Sequence, residues 1–160
     1  MAYALAVLAA LLIGAGYLLS PAPAGGGLSH AVDLRYQHVF ADLIGVGLIG
    51  QIGYGEDVLR AALMPVISVE LAPIPSLILS LELAAGWQLL SGTVEIEDRV
   101  LEGTEARGLR AELAAGLAFG IASYLAITAR GGAALEGVYA KPAQSTAIHP
   151  FGQIGFVLEL

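Results

Sequence analysis

A chain of 160 residues is long enough for one domain, and at 57% apolar content with a mean hydropathy of +0.77 it is too apolar for an ordinary water-soluble domain of that size. Asp and Glu (14) outnumber Lys and Arg (7), so the basic footprint of nucleic-acid binding is absent and no nucleic-acid partner is expected. The lack of cysteine excludes disulfides, thiolate metal sites and a cysteine nucleophile.

Residues 2–19 (AYALAVLAALLIGAGYLL) carry no charge and run into Ser20-Pro21-Ala22-Pro23-Ala24, where Ala22 and Ala24 have the small-residue spacing that a signal peptidase accepts. This predicts an N-terminal apolar helix, a signal peptide over 1–24 cut near Ala24. The first basic residue is Arg35, so the usual basic lead is missing, and a retained anchor helix is the alternative. Gly25-Gly26-Gly27 reads as a flexible linker, with the folded part over 28–160.

Beyond residue 28 the apolar positions repeat every second residue, the period of a strand with two distinct faces. Over 31–40, Val32, Leu34, Tyr36, His38 and Phe40 oppose Asp33, Arg35 and Gln37. Over 43–54, Ile44, Val46, Leu48, Ile52 and Tyr54 oppose glycines and Gln51. Over 58–71, Leu59, Ala61, Leu63, Pro65, Ile67, Val69 and Leu71 oppose Arg60, Ser68 and Glu70. The clearest segment is 76–90, with Leu77, Leu79, Leu81, Leu83, Ala85, Trp87 and Leu89 against Ser76, Ser80, Glu82, Gly86 and Gln88.

The span from Ser91 to Gly108 is the longest connection and still alternates over Thr93–Glu97, which predicts a hairpin extending beyond the bilayer. Counted from a periplasmic start it falls on the periplasmic side, although long loops of transmembrane barrels are normally extracellular. Strands follow over 109–119, 122–130 and 133–141, with breaks at Gly131-Gly132 and from Lys141 to Pro150. The last strand sets Ile154, Phe156, Leu158 and Leu160 against Gln153, Gly155 and Glu159.

About eight strands of roughly 9 to 15 residues suit an all-β, up-and-down antiparallel transmembrane β-barrel, since roughly 9 to 11 residues cross a bilayer at a tilt. Closure removes the unpaired sheet edges that hydrocarbon does not tolerate. The less apolar face is mostly Gly, Ala and Ser with sparse charges, which suits a narrow, side-chain-filled interior; the leucine-rich face then meets lipid. Tyr36, Phe40, Tyr54, Trp87, Phe119, Tyr139 and Phe156 all fall on the apolar face and form an expected aromatic girdle at the membrane interfaces.

The inward parity collects Asp33, Arg35, Arg60, Glu70, Glu82, Arg110, Glu112 and Glu159, joined by Arg130 and Glu136 from the less regular segments. A charge buried alone is very costly, so these residues are expected to pair across the lumen. Their glycine and alanine neighbours leave room for water, so a narrow channel for ions or small solutes is the second reading.

The end of the chain, Gln153-Ile154-Gly155-Phe156-Val157-Leu158-Glu159-Leu160, resembles the assembly signal of small bacterial outer-membrane β-barrel proteins, with Gln153, Gly155, Leu158 and Leu160 at its marked positions. The terminal residue, usually phenylalanine in that family, is leucine here. The resemblance implies an outer-membrane location among phospholipid and lipopolysaccharide, and recognition by the barrel assembly machinery.

His30, His38 and His149 lack metal-ligand spacing, and His38 and His149 are expected near strand ends or loops, so neither metal nor cofactor is expected. Ser145-Thr146-Ala147-Ile148-His149 raises a Ser/His site, as in lipid-modifying outer-membrane enzymes, but the closely spaced His-x-Ser arrangement is missing. The acidic stretch Glu95, Glu97, Asp98, Glu102 and Glu105 reads as a solvated loop. The functional expectation is therefore a non-enzymatic barrel with a structural or surface-interaction role. A helical inner-membrane protein is the structural alternative, because 111–129 has the apolarity of a membrane helix. Glu70, Glu82, Pro65, Pro73 and Pro75 argue against it.

Overall fold

The computed structural model describes residues 10–21, 28–40, 43–55, 58–74, 76–96, 99–140 and 143–159, without the side chains of 10, 11, 21, 93–96, 99–104, 143 and 159. Eight strands follow in chain order: β1 (Ala10–Pro21), β2 (Leu28–Phe40), β3 (Ile44–Gly55), β4 (Val58–Ile74), β5 (Leu77–Ile96), β6 (Arg99–Ala122), β7 (Leu125–Ala140) and β8 (Ala143–Glu159). Each pairs antiparallel with the next, and β8 returns to β1 to close a barrel. Side chains alternate strictly: β4 reads buried and exposed in turn from Val58 to Leu71.

The expected N-terminal helix is overturned. Ala10–Pro21 is the strand that closes the barrel, paired with β2 from Ala10 opposite Val39 to Pro21 opposite Leu28, and with β8 from Leu12 opposite Glu159 to Leu19 opposite Gly152. Alternation is invisible there because the buried positions Gly14, Gly16 and Leu18 are as uncharged as the exposed ones. The Gly25–Gly27 linker and the cleavage site at Ala22–Ala24 lie outside the described residues.

Two further expectations are corrected. The segments 122–130 and 133–141 belong largely to one strand, β7, which runs through Gly131-Gly132 without a break. Gly132 is there for close approach: a Cβ on it would lie 2.7 Å from the Ala114 Cα of β6. Lys141 to Pro150 is mostly strand as well, since β8 starts at Ala143 and holds Pro150 opposite Ala133. One strand missed and one divided leave the count at eight. The helical alternative fails in the same region, where 111–129 forms β6, a turn and the start of β7.

The end of the barrel where β1 begins and β8 finishes is called the near end; the turns after β2, β4 and β6 lie there too. The connections after β1, β3, β5 and β7 lie at the far end. Pairing of β5 with β4 stops at Gly92 opposite Val58, and pairing of β6 with β7 begins at Arg107 opposite Tyr139. Between these limits β5 and β6 pair only with each other, as far as Ile96 opposite Arg99, so they leave the rim as a two-stranded hairpin. The register shifts between Gly92 and Val94, and Gly92 has φ of 133°, a conformation that favours glycine at such a bulge. Because β1 precedes the strands counted from sequence, this hairpin follows the fifth strand and not the fourth, and it lies at the far end of the barrel.

Candidate functional site: the charged lumen

The outward face is mostly apolar, with polar residues such as His30, Arg107 and Gln144 toward the far end. Trp87 and Ile148 are each 74% exposed, Ile52 66% and Leu34 65%. In water, so large a continuous apolar surface would drive aggregation; in hydrocarbon it is the required exterior. The aromatics Tyr36, Phe40, Tyr54, Trp87, Phe119, Tyr139 and Phe156 are all exposed on this face. Phe40, Phe119 and Phe156 stand toward the near end, Tyr54 and Tyr139 toward the far end, and Trp87 well inside β5, opposite Leu63 and Leu109.

The inward face mixes apolar side chains, among them Leu18, Ile49, Met64 and Phe151, with polar ones whose contacts run along the barrel as one connected set, the Arg35 guanidinium donating to Gln37 at 3.5 Å. Nearest the near end, the Gln37 Nε2 donates to Glu70 at 2.6 Å and to Ser68 at 2.7 Å, and the Ser68 hydroxyl donates to Glu70 at 3.1 Å. One level deeper, Arg35 grips Glu82 with two parallel hydrogen bonds of 2.7 Å, and the Ser80 hydroxyl donates to the same carboxylate at 3.2 Å. Arg130 then joins three acids: Glu112 at 2.8 Å, Glu82 at 3.4 Å and Asp33 at 3.6 Å. Gln153 accepts from Arg130 at 3.0 Å and donates to Asp33 at 2.6 Å.

Glu112 accepts from Arg110 at 2.8 Å and from the Gln51 amide at 3.1 Å. Arg110 also pairs with Glu136, which accepts from Arg60 at 2.9 Å and lies 3.3 Å from His149. Past this level Val58, Leu90, Ala106, Val138 and Ala140 meet as a buried apolar layer at the far end. Charges in a low-dielectric interior need such partners, because breaking a buried pair strands the remaining charge.

Of the sequence-predicted inward residues, Asp33, Arg35, Arg60, Glu70, Glu82, Arg110 and Glu112 all lie in this set, while the Glu159 side chain is outside the described ones. At the C-terminal motif, Gln153 reaches the Asp33–Arg130 contact. Gly155 sits opposite Gly16 across the β8–β1 seam, where an added Cβ would lie 2.7 Å from the Gly16 Cα. Leu158 pairs with Ile13 of β1 and Leu125 of β7, and Leu160 lies outside the described residues.

Arg130 and Glu136 are more central than sequence reading made them. Their common parity along β7 was the available signal, hidden by taking Gly131-Gly132 for a turn. His149, expected near a strand end or loop, is buried within β8 and faces Glu136. It therefore points into the lumen and not toward lipid, where a site acting on membrane lipid would need it. Among the described residues no group of three or more His, Cys, Asp or Glu is placed to hold a metal ion.

No protein-family model matches the chain, and no curated protein matches it. Solved structures do. Neisserial surface protein A superposes with a TM-score of 0.60 at 8% identity, over 95% of this chain and 96% of that one. The outer membrane enzyme PagL gives 0.56 at 16% identity, over 93% and 98%. The N-terminal β-barrel domain of Pseudomonas aeruginosa OprF gives 0.52 at 16% identity, over 93% and 97%. At these identities the likeness is one of fold, and it spans both enzymatic and other barrels. In architecture, this chain resembles the small outer-membrane proteins: one closed, eight-stranded antiparallel barrel.

Proposed function

We propose that the chain is an integral outer-membrane β-barrel with a structural or surface-presenting role, that its lumen is closed, and that it performs no covalent chemistry. The observation that carries this reading is the opposition of its two faces. Leucine-rich positions such as Leu34 and Leu81 point outward and exposed, while Arg60, Arg110 and Glu112 are each only 1% exposed inside. A water-soluble barrel needs the reverse arrangement. Four guanidiniums and five carboxylates fill the interior of a barrel whose narrow bore side chains alone can fill.

In this reading the near end faces the periplasm and the β5–β6 hairpin projects from the cell surface, in keeping with the usual placement of longer loops. Lipopolysaccharide surrounds the far-end half of the barrel. The barrel assembly machinery reads Gln153, Gly155, Leu158 and Leu160 on the strand that closes the seam. Expression in a Gram-negative host followed by membrane fractionation tests the location. The protein is expected in the outer-membrane fraction, resistant to carbonate extraction and migrating faster in gels before boiling than after. Recovery in the inner membrane or the soluble fraction would overturn it.

A further inference from the structure

The lumen is not equally filled along its length. At the near end a cavity of about 240 Å³ opens between the turns at Ser76 and Ser123-Tyr124 and reaches inward to Arg35, Glu82 and Arg130. That is far more than the roughly 10–15 Å³ that one water needs. Its lining combines apolar side chains of β1, β5, β6 and β8 (Leu12, Ile78, Ala118 and Val157) with Glu70 of β4, the neighbour of β5, and, deeper, Asp33 of β2.

The charges around this cavity do not balance. Arg35 donates to Glu82 through both of its terminal nitrogens, one of which also reaches the Gln37 amide oxygen at 3.5 Å. Arg130 is shared among Glu112, Glu82 and Asp33. Glu70, 9% exposed, is held only by the neutral donors Gln37 and Ser68, and among the described residues no cationic nitrogen pairs with it. Asp33, 1% exposed, has one oxygen, Oδ2, without a hydrogen-bond donor, its nearest cation being Arg130 at 3.6 Å. Three carboxylates thus face two guanidiniums in a cleft with low-dielectric walls, which concentrates a negative field at the mouth.

We propose that this vestibule binds small organic ammonium cations, the ammonium held at Glu70 and the carbon chain lying along Ile78 and Ala118. An ammonium is a compact charge with three donors, matching the open positions on Glu70. Too few free oxygen ligands converge for calcium, which takes six to eight. The apolar wall selects an organic cation over a hydrated alkali ion, and the uncompensated carboxylate rejects anions.

The test is titration of the isotope-labelled full chain in detergent micelles with n-propylammonium chloride, read by NMR at Ile78 and Ala118, with sodium propionate as the opposite-charge control. Saturable shifts with the ammonium only are expected, with Kd raised at least tenfold in Glu70→Gln, which keeps the side-chain volume and the contacts to Gln37 and Ser68. Ala118→Phe fills the space beside Ile78 while leaving Glu70 in place, and it should abolish the response even if Glu70→Gln fails to fold. Linear, non-saturating shifts, equal binding of propionate, or unchanged affinity in both variants would overturn the proposal.

Discussion

Arg35 of β2 and Glu82 of β5 meet through two 2.7 Å hydrogen bonds across the lumen, although they belong to strands that are not neighbours in the barrel. A bidentate pair this well aligned and this little exposed fixes the distance between opposite walls. Arg35→Met leaves Glu82 with only Arg130, 3.4 Å away and shared with two other acids, and the Ser80 hydroxyl. It should cost about 3–5 kcal/mol of stability, the usual penalty for breaking a buried pair, and Arg35→Met with Glu82→Met should recover part of that loss. Equilibrium unfolding in detergent measures both.

The outward face makes a separate prediction. Leu81 is 57% exposed and lies opposite Val69 and Ala115. Leu81→Arg places a charge in hydrocarbon and should reduce insertion at a cost of about 2–4 kcal/mol if the site is near the midplane, whereas Leu81→Ile should insert like the parent. Quantifying folded barrel in the membrane fraction distinguishes the two, and equal accumulation would reverse the face assignment.

Closure of the barrel depends on β1 and its seam with β8. Removing residues 1–24 takes away β1 and leaves edges of β2 and β8 unpaired in hydrocarbon, where each unsatisfied backbone group costs several kcal/mol. That truncation should yield no heat-modifiable species. A milder lesion is Gly155→Val, which forces a side chain against the Gly16 backbone. It should slow assembly and lower the unfolding temperature, while Phe156→Leu on the outward face of the same strand should be nearly neutral.

Much of this architecture is legible in sequence wherever the two faces differ in chemistry. β4 and β5 alternate Leu against Arg, Ser and Glu, and Arg60, Ser68, Glu70 and Glu82 are buried while Leu59, Leu63, Leu81 and Leu83 are exposed, as the alternation predicts. Legibility fails where both faces are small or apolar. In β1, Gly14, Gly16 and Leu18 point inward beside an equally uncharged outward set, so the strand is indistinguishable from an apolar helix. Gly131 and Gly132 read as a turn because glycine serves both turns and tight backbone approaches, and only the neighbouring β6 backbone reveals which one applies here.

Parity gives the inward face of Asp33, Arg35, Arg60, Glu70, Glu82, Arg110 and Glu112 but not their height, which depends on the stagger of eight registers. The partnerships of Arg35 with Glu82 and of Arg130 with Glu112 are therefore out of reach of sequence, as is the lack, among the described residues, of a cation paired with Glu70.

The position of the β5–β6 hairpin predicts an asymmetric response to protease. Arg99 and Arg107 lie on the segment of β6 at or beyond the far-end rim, opposite the end where β8 finishes. Trypsin added to intact cells should cleave there and leave the rest of the barrel protected. Protection in intact cells with cleavage only after the periplasm is opened would invert the orientation.

The central claim is that a connected charge network and the apolar layer of Val58, Leu90, Ala106, Val138 and Ala140 close the lumen, and single-channel recording tests it most directly. Purified protein reconstituted into a planar bilayer should show no steady conductance across the applied voltage range, in keeping with a narrow bore filled by side chains. Reproducible ohmic steps from the unmodified chain would contradict the account and make the protein a channel.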